Sequence, residues 1–270
     1  MKTVDRLIEQ YFSAADAAKI LERKKKFIEL NLTNEVTDKF SSKVGGFGYL
    51  PKDIDYPKNK EGKPLLFLAQ INFDEMPDLD PFPKQGILSF YIDIFDDLYG
   101  LNLEKPNDTS DYRVFYFSDL GQPSYSEAEQ ESFFSPYPMD DVYKVVQKEQ
   151  KMVGSISEML PIVDSVEFKK EIGKEFYEFM EGKISDEQTD QILESQPIES
   201  EIGGYPFFTQ SDPREDDQEL ANQYDTLLFQ LLSDDDNVMW GDCGVANFFI
   251  NRQKLQNLDF SDVMYNWDCY

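Results

Sequence analysis

The sequence predicts an α+β protein that is mainly β, with an internally duplicated β-rich core and helices at its periphery. Three observations carry that expectation. Aromatic residues make up 14% of the chain, Phe and Tyr above all, and packed aromatic layers suit strands better than helices. Short apolar runs bounded by Gly, Pro and Asp recur along the chain, the mark of buried strands. Those runs also repeat in order. Ile202-Gly203-Gly204-Tyr205 echoes Val44-Gly45-Gly46-Phe47, Leu228-Phe229-Gln230-Leu231 echoes Leu68-Ala69-Gln70-Ile71, and Gly244 to Asn251 echoes Gly86 to Asp93. Gly203 follows Gly45 by 158 residues, Gln230 follows Gln70 by 160, and Gly244 follows Gly86 by 158. Three blocks at nearly one offset indicate duplication. Each copy alone would bury too little surface, so the two are expected to pair into one pseudo-symmetric core.

The elements follow in order. Ser13, three residues before Asp16, reads as the N-cap of a helix over the Ala-rich stretch Ala14 to Lys25, the second of two opening helices. Ile28, Leu30 and Leu32 then alternate with polar residues, the period of a strand. Gly45 to Pro51 is a turn leading into extended chain, and Leu65 to Phe73, Gly86 to Ile92 and Arg113 to Phe117 read as strands. Asp119 to Met139 reads as a long surface loop around one or two edge strands. Tyr143 to Lys151 alternates like a strand, and Val166 to Met180 has a helical pattern. Ser185 with Gln188 forms a capping box opening a short helix to about Glu194. Residues 1–40 are thus expected to supply helices and a first strand packing on the core. Residues 41–270 hold the two repeats, about 44–93 and 202–251, joined by a loop and a helical insertion.

Charge narrows the partners. Lys and Arg number 26 against 53 Asp and Glu, a formal net charge of -27. Such a surface repels nucleic-acid phosphates and anionic membranes, and it steers basic proteins toward itself. The acidic surface either serves solubility alone or meets a partner with a basic face. No apolar run is long enough to span a bilayer, and the N-terminal residues lack the apolar core of a signal peptide. With two cysteines and no disulfide framework, a cytoplasmic location is expected.

The chain contains no histidine. Ser-His-Asp and Cys-His catalysis are therefore excluded, as is a zinc site of four Cys and His ligands. No cofactor is expected. Gln70 and Gln230 stand alone at matching places in apolar runs. Either each pairs with the backbone of the neighbouring copy or of a Gly-Gly turn, or, with Asn72 beside the first, they line a cleft shared by the repeats. Asp234, Asp235 and Asp236 invite a calcium loop, but the spacing puts Met239 where that loop requires Gly. An oxygen site from Asp234, Asp236 and Asp242 is the looser alternative to a solvated turn. Trp240, between turn residues, either caps the core or walls a ligand site. Cys243, with nothing cationic beside it, is expected to be buried and inert. The candidate binding residues are Gln70, Asn72, Gln230, Asp234, Trp240 and Asp242.

Gly45-Gly46 through Pro51, Pro64 to Asn72, Gly86 to Tyr91 and Trp240-Gly241-Asp242-Cys243-Gly244 resemble the YwqG-like family, a bacterial domain of unknown function. The resemblance runs from about Val44 to the C-terminus. It implies a duplicated β-rich fold, assigns no catalytic residues, and makes an immunity or other binding role a reasonable expectation. The opening helices and the Asp119 to Met139 loop are less typical of it, which makes them the expected seat of partner specificity. The leading expectation is a protein-interaction module with a basic partner, of which toxin neutralisation is one form. The alternative is a small-molecule-binding protein or a His-free hydrolase using the cleft between the repeats.

Overall fold

The computed structural model describes residues 3–140, 142–161, 164–234 and 236–270. Helices α1 (Thr3–Tyr11) and α2 (Ala14–Leu21) open the chain, and Ser13 Oγ caps α2 by accepting from Asp16 N. The second helix stops short of Lys25 because that residue begins strand β1 (Lys25–Thr33), where pairing on both sides overrides helix propensity. Strands β2 (Lys43–Val44), β3 (Leu66–Asn72), β4 (Ile87–Ile92) and β5 (Tyr112–Phe117) follow. The Asp119 to Met139 segment carries no named strand. It holds helix α3 (Glu127–Ser132), opened by a Ser126–Glu129 capping box.

Strand β6 spans Gln150–Met159 and begins where the sequence reading ended its strand. Gly154, Ser155 and Ser157 weaken the apolar signal there. Gly173, in the left-handed conformation, divides the expected Val166 to Met180 helix into α4 (Val166–Ile172) and α5 (Phe176–Met180). Helix α6 (Asp186–Glu194) carries the expected Ser185–Gln188 capping box. Then come β7 (Glu201–Gly203), α7 (Gln218–Gln223), β8 (Thr226–Leu232), β9 (Val245–Ile250), α8 (Arg252–Gln256) and β10 (Val263–Asp268).

All ten strands join one antiparallel sheet in the order β10-β9-β8-β7-β1-β6-β2-β3-β4-β5. The order is a palindrome of the two copies about the β1–β6 pair. Each copy's first strand lies beside the other copy's short strand: β1 pairs with β7, and β6 pairs with β2. Strand β1 is therefore the middle of the sheet, not a layer laid upon it. The sheet curls into a nearly closed barrel, with Phe90 packed on Phe229 and Phe248 across the interior at ring distances of 4.9 and 4.7 Å. Its two edges meet through side chains. Tyr112 Oη donates to Val263 O at 2.6 Å, and Tyr116 packs on Phe260. A satellite core gathers the opening helices with α4, α5 and α6 around Ile8, Ile20, Phe168, Phe179 and Ile192.

The copies match residue by residue. Gln70 faces Ser89 and Gln230 faces Asn247, and both hairpins carry a β-bulge at the same place, between Phe67 and Ala69 and between Leu227 and Phe229. Among the buried positions where they differ, one reverses the charge. Lys43, 1% exposed, faces Gln70 and pairs with Glu149 at 3.2 Å. Gly46 lies beside that carboxylate with a φ of +69°, the left-handed conformation that favours glycine. The equivalent of Lys43 in the second copy is Glu201, fully buried, facing Gln230, with neither carboxylate oxygen hydrogen-bonded among the described residues. Burial drives its carboxyl well above the ordinary glutamate range, and Glu199 and Glu29 push the same way.

Two predictions follow from this architecture. Deleting residues 1–33 leaves β6 and β7 without the strand between them. The truncated chain is expected to lose its cooperative thermal transition, read by circular dichroism. Glu201 favours the protonated form when folded, so its contribution to stability is present below the unfolded glutamate pKa, about 4.3. That contribution is lost as pH rises toward the higher folded pKa. Glu201→Gln should therefore raise the melting midpoint at neutral pH, with the gain shrinking as the pH is lowered to about 4.

Candidate aromatic pocket at the junction of the repeats

The sequence Phe95-Asp96-Asp97-Leu98-Tyr99-Gly100 leaves β4 as a tight turn. Asp96 Oδ1 accepts from Leu98 N at 2.9 Å, and Tyr99 takes a φ of +49°, an uncommon conformation for a residue with a side chain. That conformation turns the Tyr99 ring onto the second copy. It lies 5.2 Å from Trp267 on β10 and 6.1 Å from Trp240 beyond β8. Trp267 Nε1 donates to Leu98 O at 2.6 Å and fastens the turn. Trp240 is fully buried behind this layer, 6.4 Å from Tyr265. Neither Trp240 Nε1 nor Tyr265 Oη has a hydrogen-bond partner among the described residues.

In front of Tyr99 opens a pocket of about 380 Å³. Phe95, Tyr99, Tyr137 and Tyr143 form its aromatic wall, and Asp96 and Asp97 stand at its rim. Phe95 and Tyr137 contact each other at 5.2 Å, and Tyr99 and Tyr143 at 6.4 Å. One cation already uses the wall: Lys63 Nζ lies 5.2 Å from the Phe95 ring centroid while pairing with Glu61 at 2.8 Å. Aromatic faces beside carboxylates attract cationic groups, through the ring quadrupole and through charge. Beneath the wall, Asp93 accepts from Asn59 Nδ2 at 2.7 Å and Phe95 N at 2.9 Å, and burial raises its pKa.

Of the residues singled out from sequence, only Trp240 belongs to this cluster, and it backs the pocket without lining it. Gln70 is occupied by backbone: Oε1 accepts from Tyr49 N at 2.8 Å, and Nε2 donates to Lys39 O and Ser41 O. Gln230 repeats the arrangement, accepting from Phe207 N at 2.7 Å and donating to Glu199 O. Asn72 caps the turn after β3, accepting from Asp74 N and donating to Phe40 O. Asp234 Oδ1 is occupied by the amides of Asp236, Asn237 and Val238, from which it accepts. Asp235 lies outside the described residues. Among the described residues no cluster of three acidic or cysteine side chains is placed to hold a metal.

Asp242 stands exposed at a corner. Cys243 beside it is exposed, not buried as its sequence neighbours suggested. The Gly244 N to Trp240 O hydrogen bond closes a tight turn that pushes residues 241–243 outward. The pocket residues escaped the sequence reading because they come from three separate segments. The two aromatics Phe95 and Tyr99 enclosing Asp96 and Asp97 were the available signal.

The profile of a family described as a domain of unknown function (DUF1963) matches residues 42–269. None of the curated proteins compared matches the chain. No helix among the described residues is long and apolar enough to cross a membrane.

Burial makes Trp240 a stability residue. Trp240→Ala should cost about 3–5 kcal/mol in chemical denaturation, the usual range for emptying such a site.

Proposed function

The chain belongs to the DUF1963 family, a domain of unknown function, and we propose that it is a binding protein whose acidic surface engages a basic protein partner. The observation that carries this reading is the aromatic pocket rimmed by Asp96 and Asp97, where Phe95, Tyr99, Tyr137 and Tyr143 would receive a lysine or arginine side chain of the partner. The net charge of -27 raises the encounter rate. The pocket supplies the short-range contacts that hold the complex. Tyr137 and Pro138 reach the pocket from the Asp119 to Met139 segment, where the partner-specific part of the chain was expected. Neutralisation of a basic toxin, as the YwqG-like resemblance suggests, is one form this role would take.

The alternative, a small molecule or hydrolytic substrate held between Gln70 and Gln230, draws no support from the geometry. Both amides are occupied by backbone groups of their own copy.

A lysine-rich peptide tests the reading. Binding followed by tryptophan fluorescence should weaken about tenfold in Tyr143→Ala and in Asp97→Asn, with unchanged melting midpoints. The on-rate should fall steeply between low and physiological salt as screening shortens the range of the field. Equal affinity in wild type and both variants would remove the pocket from the account.

A further inference from the structure

The two copies send equivalent loops across the sheet, and the two crossings end differently. The loop after β8 is sealed against residues 145–148, the segment leading into β6. Val238 bridges Val146, Met239 N donates to Val145 O, and Asn237 Nδ2 donates to Lys148 O. The loop after β3 crosses to the second copy, where a Cβ on Gly203 would lie 3.1 Å from Leu79 and 3.2 Å from Phe82. Beyond that contact the second crossing stays open. A cleft of about 600 Å³ lies between the loop, the start of β1, helix α4 and the start of β8.

In a molecule of net charge -27, this cleft collects cations: Lys25, Lys26, Lys170 and Arg252 all line it. Its acidic residues are largely engaged already. Glu171 pairs with Arg23 at 3.4 Å and with Lys25 at 3.8 Å, and Asp78 pairs with Lys84. Asp225 Oδ1 accepts from Arg252 N and Thr226 Oγ1. Glu167 is held by the fully buried Arg214, which also grips Asp212 and lies 4.0 Å over the Phe249 ring. Asp80 adds a carboxylate on the loop side that has no ion pair among the described residues.

Lys26, Lys170 and Arg252 make no ion pair among the described residues, and their side chains are exposed. Lys25 is partly buried, its Nζ 4.0 Å from the Tyr205 ring centroid. Burial lowers its pKa; Glu167 and Glu171 oppose that shift, and Lys170 and Arg252 add to it. Leu79, Phe82 and Leu227 give the same cleft an apolar wall.

We propose that this cleft binds a small multivalent oxyanion, held by Lys25, Lys26, Lys170 and Arg252, with any apolar part of the ligand against Phe82 and Leu227. Three cations without carboxylate partners among the described residues, Lys26, Lys170 and Arg252, fit a multivalent anion better than a single carboxylate. The volume suits a small ligand, and the negative surface outside the cleft repels a nucleic-acid chain. The inference is independent of the aromatic pocket, since the two sites share no residue.

Isothermal titration of the full chain with pyrophosphate and with citrate, at fixed ionic strength, tests it. Saturable binding of one probe per chain is expected, weakened about tenfold by Lys170→Ser and again by Arg252→Ser, and untouched by the distant Lys52→Ser. Both cleft side chains are exposed and unpaired, so the variants should melt like the wild type. Tighter binding of pyrophosphate assigns the site to phosphoryl ligands, and tighter binding of citrate assigns it to polycarboxylates. No saturable binding of either probe, or binding that Lys52→Ser weakens as much as Arg252→Ser, overturns the proposal.

Discussion

The antiparallel pairing of β1 with β6 is the contact on which the rest of the structure depends. It runs from Lys25 opposite Met159 to Thr33 opposite Lys151, and it lies on the pseudo-symmetry axis of the barrel. Because β1 also pairs with β7 and β6 with β2, each copy completes the other's sheet. A single copy would leave its remaining strands with an unpaired edge and half an aromatic core. The duplication is thus closer to an intramolecular strand exchange than to two domains in tandem. One barrel core, with Phe90, Phe229 and Phe248 in contact across it, is the consequence.

Symmetry also shows where the copies have parted. The matched glutamines, bulges and Gly-Gly turns keep one backbone design, because each answers a hydrogen-bonding or steric demand of that backbone. Side chains freed from such demands differ. Lys43 has Glu149 as a partner, whereas Glu201 has none among the described residues and favours its neutral form. One crossing loop is sealed by Asn237 and Val238, and the other leaves a cleft. Both proposed binding sites are therefore in the asymmetric parts of a symmetric frame.

The electrostatics follow the same division. Ion pairs tie down many of the basic side chains, leaving an excess of carboxylates on the outside. Against that background, two places carry the proposed binding chemistry: an aromatic pocket with acidic rims, for a cation, and a cleft whose basic side chains are partly free of ion pairs, for an anion. The exposed ion pairs contribute little individually in water. The buried Arg214 cluster is different, since its charge is matched by Glu167 and Asp212 and its remaining donor by Tyr224 O.

What the sequence alone determined was local or repeated. Ser13, Ser185 and Gln188 marked helix starts because capping is decided within one turn. The Gly-Gly turns and the runs about Gln70 and Gln230 marked strands because burial on both faces leaves a short apolar run. The duplication was legible because it preserved spacing. Strand β10 was not, since its Asn266 and Asp268 break the apolar run and its partner β9 is supplied only by the fold. The exchange of β1 and β6, the neutral burial of Glu201 and the exposure of Cys243 were equally hidden. So were the joining of Tyr99 to Trp240 and the gathering of Lys25, Lys170 and Arg252. Each of these depends on contacts between residues far apart in the chain, and a pattern read along one strand or turn holds no record of which distant segment will lie beside it.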